Sequence, residues 1–291
     1  MGNILSFFLT ELYAKAVSGE VLLRIDDLDS TRSRPEHVAS IFSVLETLGL
    51  RWQRGPRNVA EFETSYSQSL KQDQYRQRFE VLRRQRPQDF FVCECSRSEV
   101  QRASEDGRYP GTCRHKGLEW REGSVWRARV PEGTLVTWED RIGGHLSVDL
   151  SKEMGDFIVY RREQIFAYQW VSLCEDLLSG VSDIVRGEDL RTSSAAQLWL
   201  GAGTDFEMCR FAHHPLLTDG GRKLSKSEGS QAVAELLARP GGKVRIIQAT
   251  ARWLGLENAD TCESFDSLEK AFLQRKEPLR FDQNTSIHEL L

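Results

Sequence analysis

No apolar run in this 291-residue chain is long enough to cross a bilayer. The longest near its start, ILSFFLT, is interrupted by Ser6 and followed by Glu11. It lacks the basic leader of a secretory signal, so a cytoplasmic location is expected. Strong positive charge is missing too. The 39 Lys and Arg stand against 43 Asp and Glu, a net charge of −4, which argues against indiscriminate nucleic-acid binding but permits a local basic face. Residues 71–86 carry such a concentration of cations, for which a solvated helix face is the ordinary explanation. The six cysteines form no paired secretory framework and are expected to stay reduced. Repeats and low-complexity tracts are absent. What remains is the composition of an ordinary soluble protein, 40% hydrophobic and 28% charged, with room for two domains or one with a large insertion.

Apolar spacing predicts a helix over 3–18, stopped by Gly19, and a buried strand over Val21–Ile25. Ser33 and Glu36 form a capping box with Pro35 in the first turn, opening a helix that ends at Leu48. Another helix is expected over 69–85. Strands follow in DFFVCEC, VWRARV, LVTWED and DFIVYRR, with a turn at Gly143-Gly144 and a short helix capped by Ser96. YQWVSLCEDLLSG reads as a helix, VSDIVRG as a strand, and TSSAAQLWLGAG as a helix capped by Thr192 or Ser193. This alternation predicts an α/β fold with a parallel sheet flanked by helices.

Ligands of open parallel sheets sit at the carboxyl ends of strands. Three charged clusters fall at such places: RIDDLD (Arg24–Asp29), VRGED (Val185–Asp189) and the loop DGGRKLSKSEGS (Asp219–Ser230). That loop holds Arg222, Lys223 and Lys226 among glycines and serines, and a single leucine cannot anchor it in a core. A solvated turn explains a lone Lys-x-x-Lys. Mobile ammonium groups that close over phosphates explain it as well, since they meet charge only as it develops in a transition state.

Together and in this order the clusters resemble the catalytic core of the class I glutamyl-tRNA synthetases. RIDDLDSTRSRPE looks like that family's R-I-E-D-T-D segment. FAYQWVSLCEDLLSGVSDIVRGEDL is similar to its F-A-Y…R-G-x-D block, and FAHHPLLTDGGRKLSKSEG to its H-x-P-L…K-[ML]-S-K block. The resemblance implies a Rossmann-like parallel sheet with helices on both faces, and activation of L-glutamate by ATP with Mg2+. It implies Lys226 and Lys223 as the groups that neutralise the phosphates. Ser225, Gly187, His213, Gly2 and Asn3 would complete the ATP site. Tyr168 and Arg186 would hold glutamate, Arg186 by pairing with its side-chain carboxylate. Asp26, one methylene shorter than the family's Glu, would face the α-amino group.

Cys93 and Cys95, then Cys113 in YPGTC, supply three candidate zinc ligands, and either Tyr109 or His115 is open as a fourth. Cys174 and Cys209 read as small core fillers. The shortened glutamyl-queuosine tRNA(Asp) synthetases, paralogues within this family, resemble the chain in carrying Cys-x-Cys…Tyr-x-x-x-Cys. That resemblance implies a structural Zn2+ on Cys93, Cys95, Tyr109 and Cys113, and tRNA(Asp) carrying queuosine as the acceptor. The expected layout is a first catalytic half over 1–88, a zinc-containing acceptor-type insertion over 89–150, a second catalytic half over 151–230, and a short helical C-terminal module over 231–291. That module is too short for anticodon recognition, and a monomer is expected. The family opens with a strand and R-F-A-P-S-P-[ST]-G-x-x-H-x-G. Here Gly2 and Asn3 align with the last two positions of its HIGH signature, so a native start ~15–25 residues upstream is expected. The alternatives are a minimal glutamyl-tRNA synthetase charging tRNA(Glu), a zinc-containing RNA-binding relic, and a nucleotidyltransferase acting on a small acid.

Overall fold

The structure, a computed structural model, describes residues 2–28, 35–104, 106–216, 218–219, 222–223, 235–276, 279 and 281. For 2–3, 218–219 and 222–223 it describes the backbone alone. The capping box at Ser33 and the lysines' loop from 224 onward lie outside these residues. Contacts divide the chain into two compact units, Met1–Ser67 with Val185–Glu188 and His213–Leu291, and Gln68–Ile184 with Asp189–Ala212.

In the first unit, helix α1 (Gly2–Ala16) buries Leu5, Phe8, Leu9 and Leu12, the three-to-four spacing of one helix face. Helix α2 (Pro35–Leu48) buries Val38, Phe42, Leu45 and Leu48 by the same rule. The expected strand Val21–Ile25 is a correction: its ladder is a single parallel bridge between Leu22 and Arg54. The neighbouring segment turns away at Gly55, whose φ of +102° only glycine adopts readily. A Cβ on Gly55 would lie 2.3 Å from the Leu23 carbonyl oxygen, so the close backbone approach also depends on glycine. Within α1, Glu11 is buried and accepts the Arg51 N–H at 2.9 Å, and burial pushes its carboxyl up.

The second unit holds strands β1 (Phe90–Cys93), β2 (Val125–Ala128), β3 (Leu135–Asp140), β4 (Gly144–Asp149) and β5 (Ile158–Tyr160). β1, β2 and β5 form an antiparallel three-stranded sheet. A four-stranded sheet has the order β4, β3, β7 (Arg210–His214), β6 (Asp183–Gly187). Its β3–β4 hairpin, closed at Gly144 with φ +68°, is antiparallel, while β3 pairs with β7 in parallel. The parallel sheet expected from alternation is therefore corrected to a mixed one. Tight turns between adjacent strands compel antiparallel pairing, which a helical crossover does not.

Helix α3 (Gln72–Gln85) buries Tyr75, Phe79 and Leu82. The Phe79 ring lies edge-on to Phe90, Phe166 and Trp170 at centroid separations of 5.2, 5.6 and 5.6 Å. Ser96 and Glu99 close a capping box at the start of α4 (Arg97–Ala103), as their spacing predicts. Helix α5 (Tyr168–Ser179) ends at Gly180 in the left-handed conformation, bonded back to Asp176 and Leu177. Helix α6 (Arg191–Leu200) starts without a side-chain cap, and Thr192 instead donates to Glu153 at 2.8 Å. Helices α7 (Gly242–Trp253) and α8 (Phe265–Gln274) belong to the first unit, where Phe265 stacks on Phe8 at 5.8 Å.

Glu175 is 3% exposed on α5, which an apolar core tolerates only with full pairing. Lys71 Nζ donates to it at 2.8 Å and the Tyr75 hydroxyl at 2.6 Å. Glu175→Ala strands both donors, and urea unfolding is expected to show a loss of ~3–5 kcal/mol. A loss below about 1 kcal/mol contradicts this role.

Candidate functional site

The first unit gathers charged groups at the end of β6. Arg186 is 7% exposed there, and Gly187 and Glu188 follow it directly. The neighbouring strand β7 ends in His213 and His214, both buried. His214 meets the Trp253 ring edge-on at 5.2 Å. Its Nδ1 lies 3.0 Å from the Pro215 carbonyl oxygen. A carbonyl only accepts, so the Nδ1 atom carries the proton in that bond. Glu188 Oε1 accepts the Leu216 N–H at 3.4 Å, tying the β6 end to the segment that leaves β7.

At Arg24–Asp27 the two carboxylates have different surroundings. Asp26 is exposed and accepts from Arg24 Nε at 3.0 Å. Asp27 is 9% exposed and accepts the Ser67 hydroxyl in a short hydrogen bond. Sequence reasoning singles out Asp26 and overlooks Asp27; adjacent aspartates give no sign of which one turns inward. Tyr168 opens α5 in the second unit and is 38% exposed. Gly2 and Asn3 start α1, and Lys223 lies in the two-residue strand β9 (Arg222–Lys223), which pairs with β8 (Thr218–Asp219). Ser225 and Lys226 lie outside the described residues.

The cysteine cluster is complete within the second unit. β1 delivers Cys93, the turn before α4 delivers Cys95, and the loop after α4 delivers Tyr109 and Cys113. The three sulfur atoms lie within 4.8 Å of one another. Cys95 Sγ is 3.5 Å from Cys113 Sγ, and the Tyr109 hydroxyl is 3.3 Å from Cys93 Sγ and 3.8 Å from Cys95 Sγ. Tetrahedral zinc with Zn–S near 2.3 Å spaces its sulfurs by ~3.8 Å, so this donor set fits such an ion. His115 is exposed and outside the group, whereas the Tyr109 hydroxyl lies among the sulfurs.

The electrostatics favour a cation. Burial raises the Cys113 thiol, but the Glu94 backbone N–H and donors from Tyr109, Cys95 and Cys93 outweigh it and bring it to about 7. Burial and the Cys113 contact push Cys95 up to about 11, and burial with the cysteine contacts pushes the Tyr109 phenol well up. Negative charge is thus easiest to place on Cys113, and further deprotonation of the group would be favoured by a positive ion among the donors. The Arg127 guanidinium lies 3.8 Å from the Tyr109 ring centre, a cation–π contact on the cluster's phenol.

The comparisons follow the same lines. Residues 1–282 match the model of the class I tRNA synthetases (E and Q), catalytic domain. The chain belongs to this family. A glutamyl-Q tRNA(Asp) synthetase of Pseudomonas putida (strain W619) is 36% identical over 251 residues, 81% of this chain and 77% of the relative. One from Chromobacterium violaceum is 34% identical over 272 residues, 92% of this chain and 86% of the relative. The crystal structure of glutamate-tRNA synthetase from Elizabethkingia anophelis superposes with a TM-score of 0.71 at 20% identity, covering 97% of this chain. The chain spans 65% of that structure's length. As a member of the class I synthetases, this protein is an aminoacyl-tRNA synthetase-like ligase, and the class I synthetase fold fits its mixed sheets and helices. No helix among the described residues is long and apolar enough to cross a membrane.

In chelator-treated protein, thiolate absorbance at 240 nm is expected to rise near pH 7, and Cys113→Ser removes that component. A cluster whose thiols all titrate above pH 8.5, the ordinary cysteine value, contradicts a lowered Cys113 thiol.

Proposed function

We propose that this synthetase activates L-glutamate with ATP and transfers it to the queuosine base of tRNA(Asp). The reading is carried by curated relatives of that name at 34–36% identity over most of the chain, and the Cys-x-Cys…Tyr-x-x-x-Cys cluster accords with it. The glutamate α-carboxylate attacks the α-phosphorus of ATP. A phosphorus–oxygen bond forms, the bond to the bridging oxygen breaks, and pyrophosphate leaves with its Mg2+. The nucleophile is already an anion, so no general base is needed, and the protein's part is positioning and neutralisation.

In this reading Arg186 pairs with the glutamate side chain. Its burial makes the pair strong and a neutral amino acid a poor substitute. Tyr168 borders the amino acid, and Asp26 meets the α-amino group after exchanging its Arg24 contact. Lys226, with Lys223, meets the departing pyrophosphate, and Ser225, Gly187, His213, Gly2 and Asn3 border the nucleotide. Cys93, Cys95, Tyr109 and Cys113 hold one structural Zn2+ that ties the insertion over 89–150 together, and the protein works as a cytoplasmic monomer. The solved glutamate-tRNA synthetase of like fold favours a second reading, charging of tRNA(Glu).

Acceptor assays on the full gene product decide between the two. Labelled glutamate is expected on queuosine-containing tRNA(Asp) and not on tRNA(Glu); the reverse result rejects the first reading. Glutamate-dependent ATP–pyrophosphate exchange is expected to lose ~2–5 kcal/mol of transition-state binding in Arg186→Leu and ~2–4 kcal/mol in Lys226→Ala. Unchanged exchange in either variant contradicts its role.

Elemental analysis is expected to find one zinc per chain. Cys95→Ser lowers both the metal content and the melting temperature, because metal binding is coupled to folding. An unaltered melting curve contradicts a structural metal.

A further inference from the structure

Beside the cysteine cluster, and wholly within the second unit, lies a cleft of about 760 Å³. Small-molecule sites span roughly 300–1,000 Å³, so it has room for a group as large as a nucleotide. Its apolar wall includes Val100, Val125, Met154, Phe157 and Ile158.

Two guanidinium groups line it with their charge directed at backbone dipoles. Arg162 Nη2 donates to the carbonyls of Glu94 and Cys95, the latter at 2.7 Å. Arg127, 7% exposed, donates from Nη1 to the Asp156 carbonyl at 3.2 Å. Other charges at the cleft are paired locally, Arg108 with Asp106 at 2.5 Å and Arg161 with Glu163 at 3.4 Å. In the same wall, Arg127 Nε and Asp156 Oδ2 are buried without a hydrogen-bond partner. A native fold rarely leaves a donor and an acceptor in that condition, and each such group calls for an explanation. Asp156 is 4% exposed, with its Oδ1 engaged by Arg114 at 2.9 Å and by the Val130 N–H at 2.9 Å.

We propose that this cleft receives one unstacked nucleotide of the bound RNA, its base against the apolar wall and its phosphate at Arg162. The chemistry is that of single-strand recognition: a flat apolar surface for the ring, a guanidinium for the phosphate, and a donor and an acceptor for the base edge. The site is distinct from the four metal donors' own bonds, although Cys95 and Tyr109 form part of its rim. The inference rests on the reading that the substrate is a tRNA, but it is decided by RNA binding and not by catalysis.

Equilibrium binding of a tRNA(Asp) transcript is measured by filter retention at several salt concentrations, with ATP–pyrophosphate exchange followed in parallel. Arg162→Met keeps the aliphatic stem and removes the charge. It is expected to weaken binding about tenfold and to reduce the salt slope by about one, with exchange unchanged. Gln101→Glu, at an exposed helix position on the rim, adds a negative charge to the cleft without touching the Arg162 carbonyl contacts. It is expected to weaken binding similarly. A blunt, fully paired RNA duplex should bind both variants as it binds the unaltered protein. Undiminished tRNA affinity in Gln101→Glu overturns the proposal, as does equal weakening towards the duplex or absence of tRNA binding by the unaltered protein. Lost exchange with cleft-dependent binding retained instead counts against the proposed catalytic function and leaves the cleft standing.

Discussion

Three sulfur atoms and a phenol oxygen, drawn from β1, the turn before α4 and the loop after it, crowd into one small volume. The core around them is modest: Phe91, Cys93, Tyr109, Cys113 and Val125, with Cys95, Val100, Leu118 and Ile158 against it. Four of those nine side chains are the donors themselves. A core of that size supplies little hydrophobic stabilisation, and small folds in this position commonly depend on a metal or a cross-link. The lowered Cys113 thiol beside the raised Cys95 and Tyr109 shows the same constraint electrostatically. A bound dication would relieve it by taking the protons' place.

The neighbourhood of the cluster follows from holding those donors in place. Arg162 clamps the carbonyls of Glu94 and Cys95, and Arg127 caps the Tyr109 ring. Both guanidinium groups face the cleft that runs alongside. Loosening the cluster would therefore disturb the cleft wall as well. Elsewhere in this unit two charged side chains are held by direct pairing: buried Glu175 by Lys71 and Tyr75, and half-buried Arg86 by Asp89 and the carbonyl of Trp199.

Much of this was legible in the residues. The capping box at Ser96 and Glu99, the helix ending at Gly180 and the β3–β4 hairpin at Gly144 are local signals, and they hold because each concerns a few bonds between near neighbours. The convergence of Cys93, Cys95 and Cys113 was legible from spacing, whereas the preference for Tyr109 over His115 came from the family resemblance and not from spacing. Non-local pairing was harder to read. Val21–Ile25 has strand composition, but its ladder depends on a partner that turns away at Gly55. β7 was not foreseen, because FAHH carries two histidines where a strand is usually apolar, and their burial is a property of the fold. Asp26 and Asp27 are equivalent on paper, and only packing against Ser67 distinguishes them.

The proposed site would hold one metal ion on three thiolates and one phenolate. X-ray absorption at the zinc edge of the protein as isolated tests this directly. It should show a four-coordinate ion with three sulfur neighbours near ~2.3 Å and one oxygen near ~2.0 Å, the oxygen being replaced in Tyr109→Phe. A shell containing histidine nitrogen, or no metal at all in a folded chain, would contradict it.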